Sequence, residues 1–183
     1  MKKLTAILLS VMMLLACVVT ASADEAGYLG VMLGTNVMSL DTNLATDGDS
    51  FEVIADCIDG LMQMDKDGAA VPAIAESYDL SDDGLTYTFH LRDAKWNNGT
   101  PVTANDFVFA WRRIAKEAGE YAYMLDEIGN IKGAAEIISG NEADLTTLAV
   151  SAPDEKTFVV ELNVPVSFFP SLMYFPKIGR AHV

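Results

Sequence analysis

The clearest pattern in the chain is an alternation of apolar and polar positions that gives way to a helical repeat. Side chains alternate residue by residue from Thr86 to Leu91, as they do in a half-buried strand. Further along, Phe107, Trp111 and Ile114 recur at the spacing of one helix face. The pattern therefore predicts a strand followed by an amphipathic helix.

Two local signals mark the junction between this strand and this helix. Asn98-Gly99 is a turn dipeptide, because glycine adopts a positive φ without steric cost. Thr103 can cap the helix, and Asp106 three residues later lies near the positive end of the helix. The segment is therefore typical of a turn and a capped helix and not of a catalytic loop.

The rest of the chain continues as a mixture of short strands and helices. Asp65-Lys66-Asp67-Gly68 and Ala152-Pro153-Asp154-Glu155-Lys156 are turn signals, and both predict hairpins. Strands are predicted near residues 29–33, 60–64, 78–80, 86–91, 144–150 and 157–162, and helices near residues 50–59, 104–115, 128–139 and 166–173. Such a mixture predicts an α/β fold.

The stretch from Tyr78 to Arg113 contains several distinctive motifs: Thr88-Phe89-His90-Leu91-Arg92, Ala94-Lys95-Trp96, Asn98-Gly99-Thr100-Pro101-Val102-Thr103-Ala104, Asp106-Phe107-Val108, Trp111 and Arg113. A resemblance to the bacterial extracellular solute-binding proteins of family 5, the receptors of oligopeptide ABC importers, rests on these motifs. It covers most of residues 29–177 and includes Ser39-Leu40-Asp41. It implies an incomplete type II periplasmic-binding-protein-like fold, with part of the N-terminal lobe and the smaller inserted lobe.

The resemblance also implies a function. A family member captures oligopeptides outside the cytoplasmic membrane and delivers them to ABC permease subunits, without catalysis and without a cofactor. The full-length protein is expected to be a monomer. Two alternatives stay open: a peptide-sensing receptor in the cell envelope, and a relative that binds dipeptides, a nickel chelate or haem.

Ligand contacts follow from the same resemblance. Thr46, Asp47 and Gly48 match the family's ligand-lining loop, and Thr46 stands where peptide-binding members have an acidic side chain. Tyr121 matches a tyrosine that lies against bound peptide in the family. We expect these residues to line the ligand, against the alternatives of a plain surface loop and a packed ring.

The N-terminus has the pattern of an export signal. Lys2-Lys3 precede an apolar run over residues 4–19 and the small residues Ala21-Ser22-Ala23. Residues 1–23 are therefore predicted to be a signal peptide, and residues 24–177 the N-terminal part of the family domain. Cleavage after Ala23 would release a periplasmic protein.

A second cleavage site overlaps the first. Leu14-Leu15-Ala16-Cys17 resembles a lipobox, so that cleavage after residue 16 and acylation of Cys17 would anchor the protein in the membrane. Both routes place the protein outside the cytoplasm. Residues 178–183 resemble a translated sequencing adapter, and we expect the receptor reading frame at the native locus to continue beyond Lys177.

Charge excludes several classes of partner. The chain has 12 basic and 26 acidic side chains and a net charge of −14, which argues against binding nucleic acid or anionic membrane. Arg112, Arg113 and Lys116 form the one basic cluster of the sequence after residue 23, which is interpreted as a solvated helix face.

Candidate catalytic and metal-binding residues are few. Cys57 is expected to be a buried structural thiol. His90 lies in the alternating strand without another histidine or cysteine at metal-ligand spacing, and it is expected to be packed or hydrogen-bonded. An exported hydrolase would need a nucleophile and a base or paired carboxylates, and the sequence does not point to either.

Overall fold

The computed structural model describes residues 33–175. The predicted signal segment, Cys17, residues 178–183 and the predicted strand 29–33, except Leu33, lie outside the described residues. The helices are α1 (Gly48–Cys57), α2 (Ala104–Glu117), α3 (Ala134–Ile138) and α4 (Phe169–Leu172). The strands are β1 (Met62–Met64), β2 (Ala70–Pro72), β3 (Ala75–Leu80), β4 (Thr86–Leu91), β5 (Val150–Asp154) and β6 (Thr157–Glu161).

A four-stranded antiparallel sheet forms the centre of the fold, in the order β3-β4-β6-β5. The alternation from Thr86 to Leu91 is confirmed, since Tyr87, Phe89 and Leu91 are buried while the residues between them are half-exposed. In β6, Phe158 and Val160 are buried on the same face. One face of the sheet therefore supplies the core.

Helix α2 covers this apolar face at β5 and β6. The Trp111 ring lies 5.1 Å from the Phe158 ring in an edge-to-face arrangement, and the Phe107 ring lies 5.7 Å from it. The helix starts at the predicted cap, where the Asp106 carboxylate accepts a hydrogen bond from the Thr103 N–H at 2.9 Å. The predicted amphipathic helix and its predicted start at Thr103 are both confirmed.

Both predicted hairpins are present. At the first, the Asp65 carboxylate accepts hydrogen bonds from the Asp67 and Ala69 N–H groups, which closes the turn between β1 and β2. At the second, Asp154 pairs with Thr157 across a turn of two residues between β5 and β6. Strand β2 was not predicted, and the predicted strand at 78–80 begins earlier, at Ala75.

The predicted strand at 144–150 is wrong over most of its length. Residues Leu145–Thr147 form a 3₁₀ turn, because the Asp144 carboxylate accepts hydrogen bonds from both the N–H and the hydroxyl of Thr146. The strand starts at Val150, which pairs with Val160. Because Asp144 bonds to the backbone of Thr146, the strand begins several residues later than predicted.

The predicted helix at 128–139 is also mostly wrong. A π-helical turn at Met124–Ile128 ends at Gly129, and α3 begins only after Gly133, which has a φ of +83°. The predicted helix at 166–173 shrinks to the single turn of α4, which has Pro170 near its start. The remaining predicted helices, 50–59 and 104–115, are confirmed with bounds shifted by about two residues.

Candidate functional site

The predicted ligand loop forms the entrance to helix α1. Asp47 caps this helix, since its carboxylate accepts a hydrogen bond from the Ser50 N–H at 2.8 Å. The hydrogen bonds from Ser50 lower the pKa of Asp47, so the carboxylate is ionised at neutral pH. Thr46 and Gly48, on either side of the cap, are exposed.

The chain that precedes the loop is tied to the first turn of α1. The Asp49 carboxylate accepts hydrogen bonds from the N–H groups of Gly34 and Thr35, at 3.1 and 2.6 Å, and from the Thr35 hydroxyl. The Ser50 hydroxyl oxygen accepts from the Met38 and Ser39 N–H groups. The segment from residue 34 to the start of α1 therefore forms a loop that is hydrogen-bonded to the first turn of this helix.

Tyr121 lies in an aromatic cluster that includes this helix. Its ring stands edge-on to Phe51 of α1 at 5.6 Å, and it lies 5.8 Å from Phe175 and 6.1 Å from Tyr123. Tyr121 is half-buried and Tyr123 is exposed. Phe51 follows Asp47 by about one helical turn, so it links Tyr121 to the predicted ligand loop.

The end of helix α2 positions Tyr121. Ala118 adopts a left-handed conformation, with a φ of 45°, and its N–H donates to the Ile114 carbonyl at 3.1 Å. The following turn is fixed by a hydrogen bond from the Ala122 N–H to the Gly119 carbonyl and by the buried side chain of Ala122. The backbone on both sides of Tyr121 is therefore held in place.

A network of side chains ties α2 to the loop at residues 41–45. Arg113 donates two hydrogen bonds to Asp41, at 3.0 and 2.5 Å, and a third to Glu117 at 2.8 Å. Asn43 also donates to Glu117, at 2.9 Å. The hydrogen bonds from Arg113 to Asp41 raise the pKa of Arg113, so the guanidinium stays charged.

This network corrects the interpretation of the basic cluster. Arg113 is not a solvated charge, because only 25% of its side chain is exposed and its guanidinium is paired on two sides. Asp41 belongs to the motif Ser39-Leu40-Asp41, so the network joins this motif to helix α2. Periodicity could not have paired residues 72 positions apart.

Replacing Arg113 by lysine is expected to reduce the free energy of unfolding by about 1–2 kcal/mol, because lysine cannot donate two parallel hydrogen bonds to Asp41. The matched control is Lys132→Gln, which breaks an ion pair to Glu161 between side chains that are 61% and 50% exposed. That change is expected to cost less than about 0.5 kcal/mol. Urea unfolding of the two variants measures both values, and equal losses would contradict the assigned role of Arg113.

The Asp49 contacts predict an acid-sensitive loop. The Thr35 hydroxyl and the N–H groups of Gly34 and Thr35 lower the pKa of Asp49 below its ordinary value of 3.8. A lowered folded-state pKa gives stability that is present above the unfolded pKa and is lost as the pH falls through the folded pKa. The loss is therefore expected below about pH 4.

Asp49→Asn is expected to make the fall in melting temperature below about pH 4 smaller than in the unsubstituted protein. Asp82→Asn, at an exposed turn, is the control for the loss of one negative charge. Identical pH profiles for the Asp49 variant and the unsubstituted protein would contradict this account of the loop.

The predictions for Cys57 and His90 have opposite outcomes. Cys57 is exposed, so the prediction of a buried thiol is wrong. Its position explains this, because α1 buries only Ser50 and Ile54, and Cys57 lies at the last residue of the helix. His90 is hydrogen-bonded as predicted, with its Nε2 atom 2.8 Å from an Asp79 carboxylate oxygen.

One cleft in the described chain lies apart from the predicted ligand residues. It has a volume of about 680 Å³ and lies between the end of α1 and the loop at residues 92–98, where Asp59, Arg92 and Trp96 line it. Arg92 is engaged there by Asp59 at 3.3 Å and by the Ala73 carbonyl. Thr46, Asp47, Gly48 and Tyr121 do not line this cleft.

Within residues 33–175, no group of three or more histidine, cysteine, aspartate or glutamate side chains is arranged to hold a metal ion. The helices in the same part of the chain are too short or too polar to cross a membrane.

Comparison with known proteins shows which family the chain resembles. The family model for bacterial extracellular solute-binding proteins, family 5 (middle), matches residues 69–183. A dipeptide-binding protein of Lactococcus lactis is 40% identical over 94% of this chain and 31% of its own length. The periplasmic oligopeptide-binding protein OppA of Escherichia coli is 41% identical over 79% of this chain and 26% of its own length.

A solved structure of Listeria monocytogenes OppA bound to peptide superposes with a TM-score of 0.73, at 37% identity, over 79% of this chain and 28% of that one. A fold of mixed strands and helices with these neighbours is that of a bacterial solute-binding protein. The chain belongs to the bacterial extracellular solute-binding proteins of family 5.

The described residues form part of the type II periplasmic-binding-protein fold, as the resemblance implied. The chain spans about a third or less of the length of the relatives it matches.

Proposed function

We propose that this protein is the substrate-binding component of an ABC importer, which captures oligopeptides outside the cytoplasmic membrane and delivers them to the permease. The observation that carries the proposal is the match, over 94% of this chain, to a dipeptide-binding protein, together with the structural match to an OppA bound to peptide. The protein acts by binding and release and is not an enzyme.

Recognition of the peptide backbone explains how one receptor serves many ligands. Every peptide carries the same N–H and C=O groups, so pairing them gives affinity that does not depend on sequence. Side chains that enter hydrated pockets then add little discrimination, because ordered water substitutes for specific contacts. Closure of two lobes about a hinge would present the bound form to the permease.

The loop at Thr46, Asp47 and Gly48 and the ring of Tyr121 are the proposed ligand contacts in this part of the chain. The Asp47 carboxylate already accepts the Ser50 N–H, so its role is to hold the loop. The exposed Thr46 and Gly48 then offer main-chain groups to the ligand. Tyr121 offers an aromatic face that Phe51 and Phe175 keep in a fixed orientation.

The proposed location is outside the cytoplasm. Cleavage after Ala23 gives a periplasmic receptor, and cleavage before Cys17 gives one that is anchored by lipid to the outer face of the cytoplasmic membrane. Radiolabelled fatty acid that is incorporated by the protein, and not by a Cys17→Ser variant, would select the anchored form. The proposed functional unit is a monomer.

Calorimetric titration of the protein encoded at the native locus with a mixed library of short peptides tests the proposal. Saturable heat is expected, and Tyr121→Ala is expected to weaken binding by about 3- to 10-fold through loss of an aromatic contact. Tyr78→Ala is the control, because Tyr78 of strand β3 is also a tyrosine that contacts two other rings, those of Tyr87 and Phe89. It should leave the affinity unchanged.

Two outcomes would count against the proposal in different ways. An absence of heat with peptides, followed by binding of a nickel chelate or haem, would overturn the ligand but keep the family. Normal binding by the Tyr121 variant would remove Tyr121 from the site and leave the receptor function intact.

A further inference from the structure

The outer face of helix α2 carries a groove that the proposed function does not use. The groove has a volume of about 480 Å³, and Val108, Phe109 and Leu145 form its apolar part. Phe109 is 55% exposed, although its helix neighbours Val108 and Ala110 are buried. An exposed phenylalanine inside a groove is the kind of surface that a partner covers.

The groove is cationic in a chain that is otherwise strongly acidic. Four charged side chains line it, and two of them, Arg113 and Glu117, neutralise each other at 2.8 Å. The other two are Arg112 and Lys116, and the ion pairs found among the described residues include neither. The net charge of the chain is −14, so this surface differs in sign from the rest.

Arg112 also has a donor that lacks an acceptor. Its Nε atom is buried, and the described part of the chain provides no hydrogen-bond partner for it. Asp144 is close enough for Arg112 to help lower the pKa of that carboxyl, after the larger effect of Thr146. One Asp144 oxygen already accepts both the N–H and the hydroxyl of Thr146. A carboxylate from a partner would pair with the positive charge of the Arg112 guanidinium.

We propose that this groove docks a segment of another protein that carries an apolar side chain flanked by aspartate or glutamate. The apolar side chain would lie on Phe109 and Leu145, and the acidic side chains would pair with Arg112 and Lys116. Charge complementarity of this kind gives specificity and a fast association rate more than high affinity. Binding is therefore weak and falls as the salt concentration rises.

The shape of the surface favours a protein segment over a membrane. A groove accepts a protruding side chain, whereas a lipid surface is met by a convex or flat patch. The acidic remainder of the chain would also be repelled by anionic headgroups. Docking at α2 does not depend on the proposed peptide site, since Tyr121 is not among the residues that line the groove.

The probe for a test is a short blocked peptide whose central leucine–phenylalanine pair is flanked by glutamates. Fluorescence anisotropy of the labelled peptide with the protein encoded at the native locus is expected to show binding that weakens with salt. Substituting both Arg112→Glu and Lys116→Glu is expected to reduce the affinity at least about tenfold. Phe109→Ala is expected to reduce it by about 3- to 10-fold.

The matched control is the pair Lys66→Glu and Lys132→Glu, which changes the net charge equally at exposed sites elsewhere. It should keep most of the affinity. A peptide in which lysines replace the glutamates should bind the variant with Arg112→Glu and Lys116→Glu better than the unsubstituted protein. That reversal would identify the groove even if one substitution lowered stability.

Three results would overturn the proposal. An equal loss of affinity in the groove variants and in the control pair would show that binding of the peptide depends only on the overall charge of the protein. Loss of binding in Tyr121→Ala would place the probe in the proposed ligand site. Stronger binding of the protein to anionic phospholipid vesicles than to the peptide, removed by the same groove variants, would assign the groove to a membrane.

Discussion

Replacing Phe158 by alanine is expected to lower the free energy of unfolding by about 3–5 kcal/mol. The ring is fully buried at the point where sheet and helix meet. Its centre lies 5.1 Å from Trp111, 5.7 Å from Phe107 and 6.3 Å from Phe89. Removing it leaves a cavity that these three rings cannot close, so both the burial and the ring contacts are lost.

Phe109→Ala is the control for this substitution, because it removes the same side chain from an exposed position on the helix that covers Phe158. Its effect on stability is expected to lie within about 0.5 kcal/mol. Urea unfolding followed by tryptophan fluorescence compares the two variants. A loss at Phe109 as large as that at Phe158 would contradict the assignment of the core to the inner face of α2. It would also remove Phe109 from the proposed docking surface.

Gly133→Ala is expected to be destabilising by about 2–4 kcal/mol, although the added group is a single methyl. A Cβ atom at this position would lie 2.3 Å from the Thr147 carbonyl oxygen and 3.0 Å from its carbonyl carbon. Gly133 also has a φ of +83°, which costs any other residue additional energy. The backbone of the 3₁₀ turn would have to move for the methyl group to fit.

Gly140→Ala separates the two contributions. Gly140 has a similar φ of +76°, but a Cβ atom there would have no neighbour within 4 Å. The conformational cost alone, about 1–2 kcal/mol, is expected at this position. Thermal melts of both variants give the comparison. Equal losses would mean that the close approach at Thr147 does not limit the choice of residue at Gly133.

The sequence predicted those elements in which local pattern and tertiary packing agree. Strand β4 and helix α2 are clear cases, because their apolar positions are the ones that meet in the core. The turn at residues 65–68 was predictable for a different reason, since the Asp65 carboxylate closes it through bonds to its own neighbours. Each of these elements depends on residues that are close together in the chain.

The predictions failed where a contact from elsewhere in the fold or a single side chain outweighed the pattern. Residues 128–139 carry apolar side chains at helical spacing. Even so, the helix α3 begins only after Gly133, where the backbone of Thr147 lies close. Residues 144–150 include apolar side chains between polar ones, but the hydrogen bond that the Asp144 carboxylate accepts from Thr146 favours a turn. Cys57 is apolar in type but lies at the end of a helix that buries only Ser50 and Ile54.

The candidate ligand site came almost entirely from resemblance. Composition and periodicity give no reason to single out Tyr121 among six tyrosines. The structure adds its neighbours Phe51 and Phe175, which are distant in sequence and were not predicted. It also adds the pairing of Asp41 with Arg113, which holds the loop at residues 41–45 on helix α2. These contacts explain how the fold positions the proposed site.

Native mass spectrometry of the protein encoded at the native locus, purified gently from the cell envelope, tests the central claim most directly. A peptide receptor is expected to carry a distribution of bound masses that correspond to short peptides. Those masses should disappear after unfolding and refolding, and they should return when a peptide mixture is added. A single bound species with the mass of a haem, a metal chelate or another non-peptide compound, and no uptake of peptides after refolding, would contradict the account.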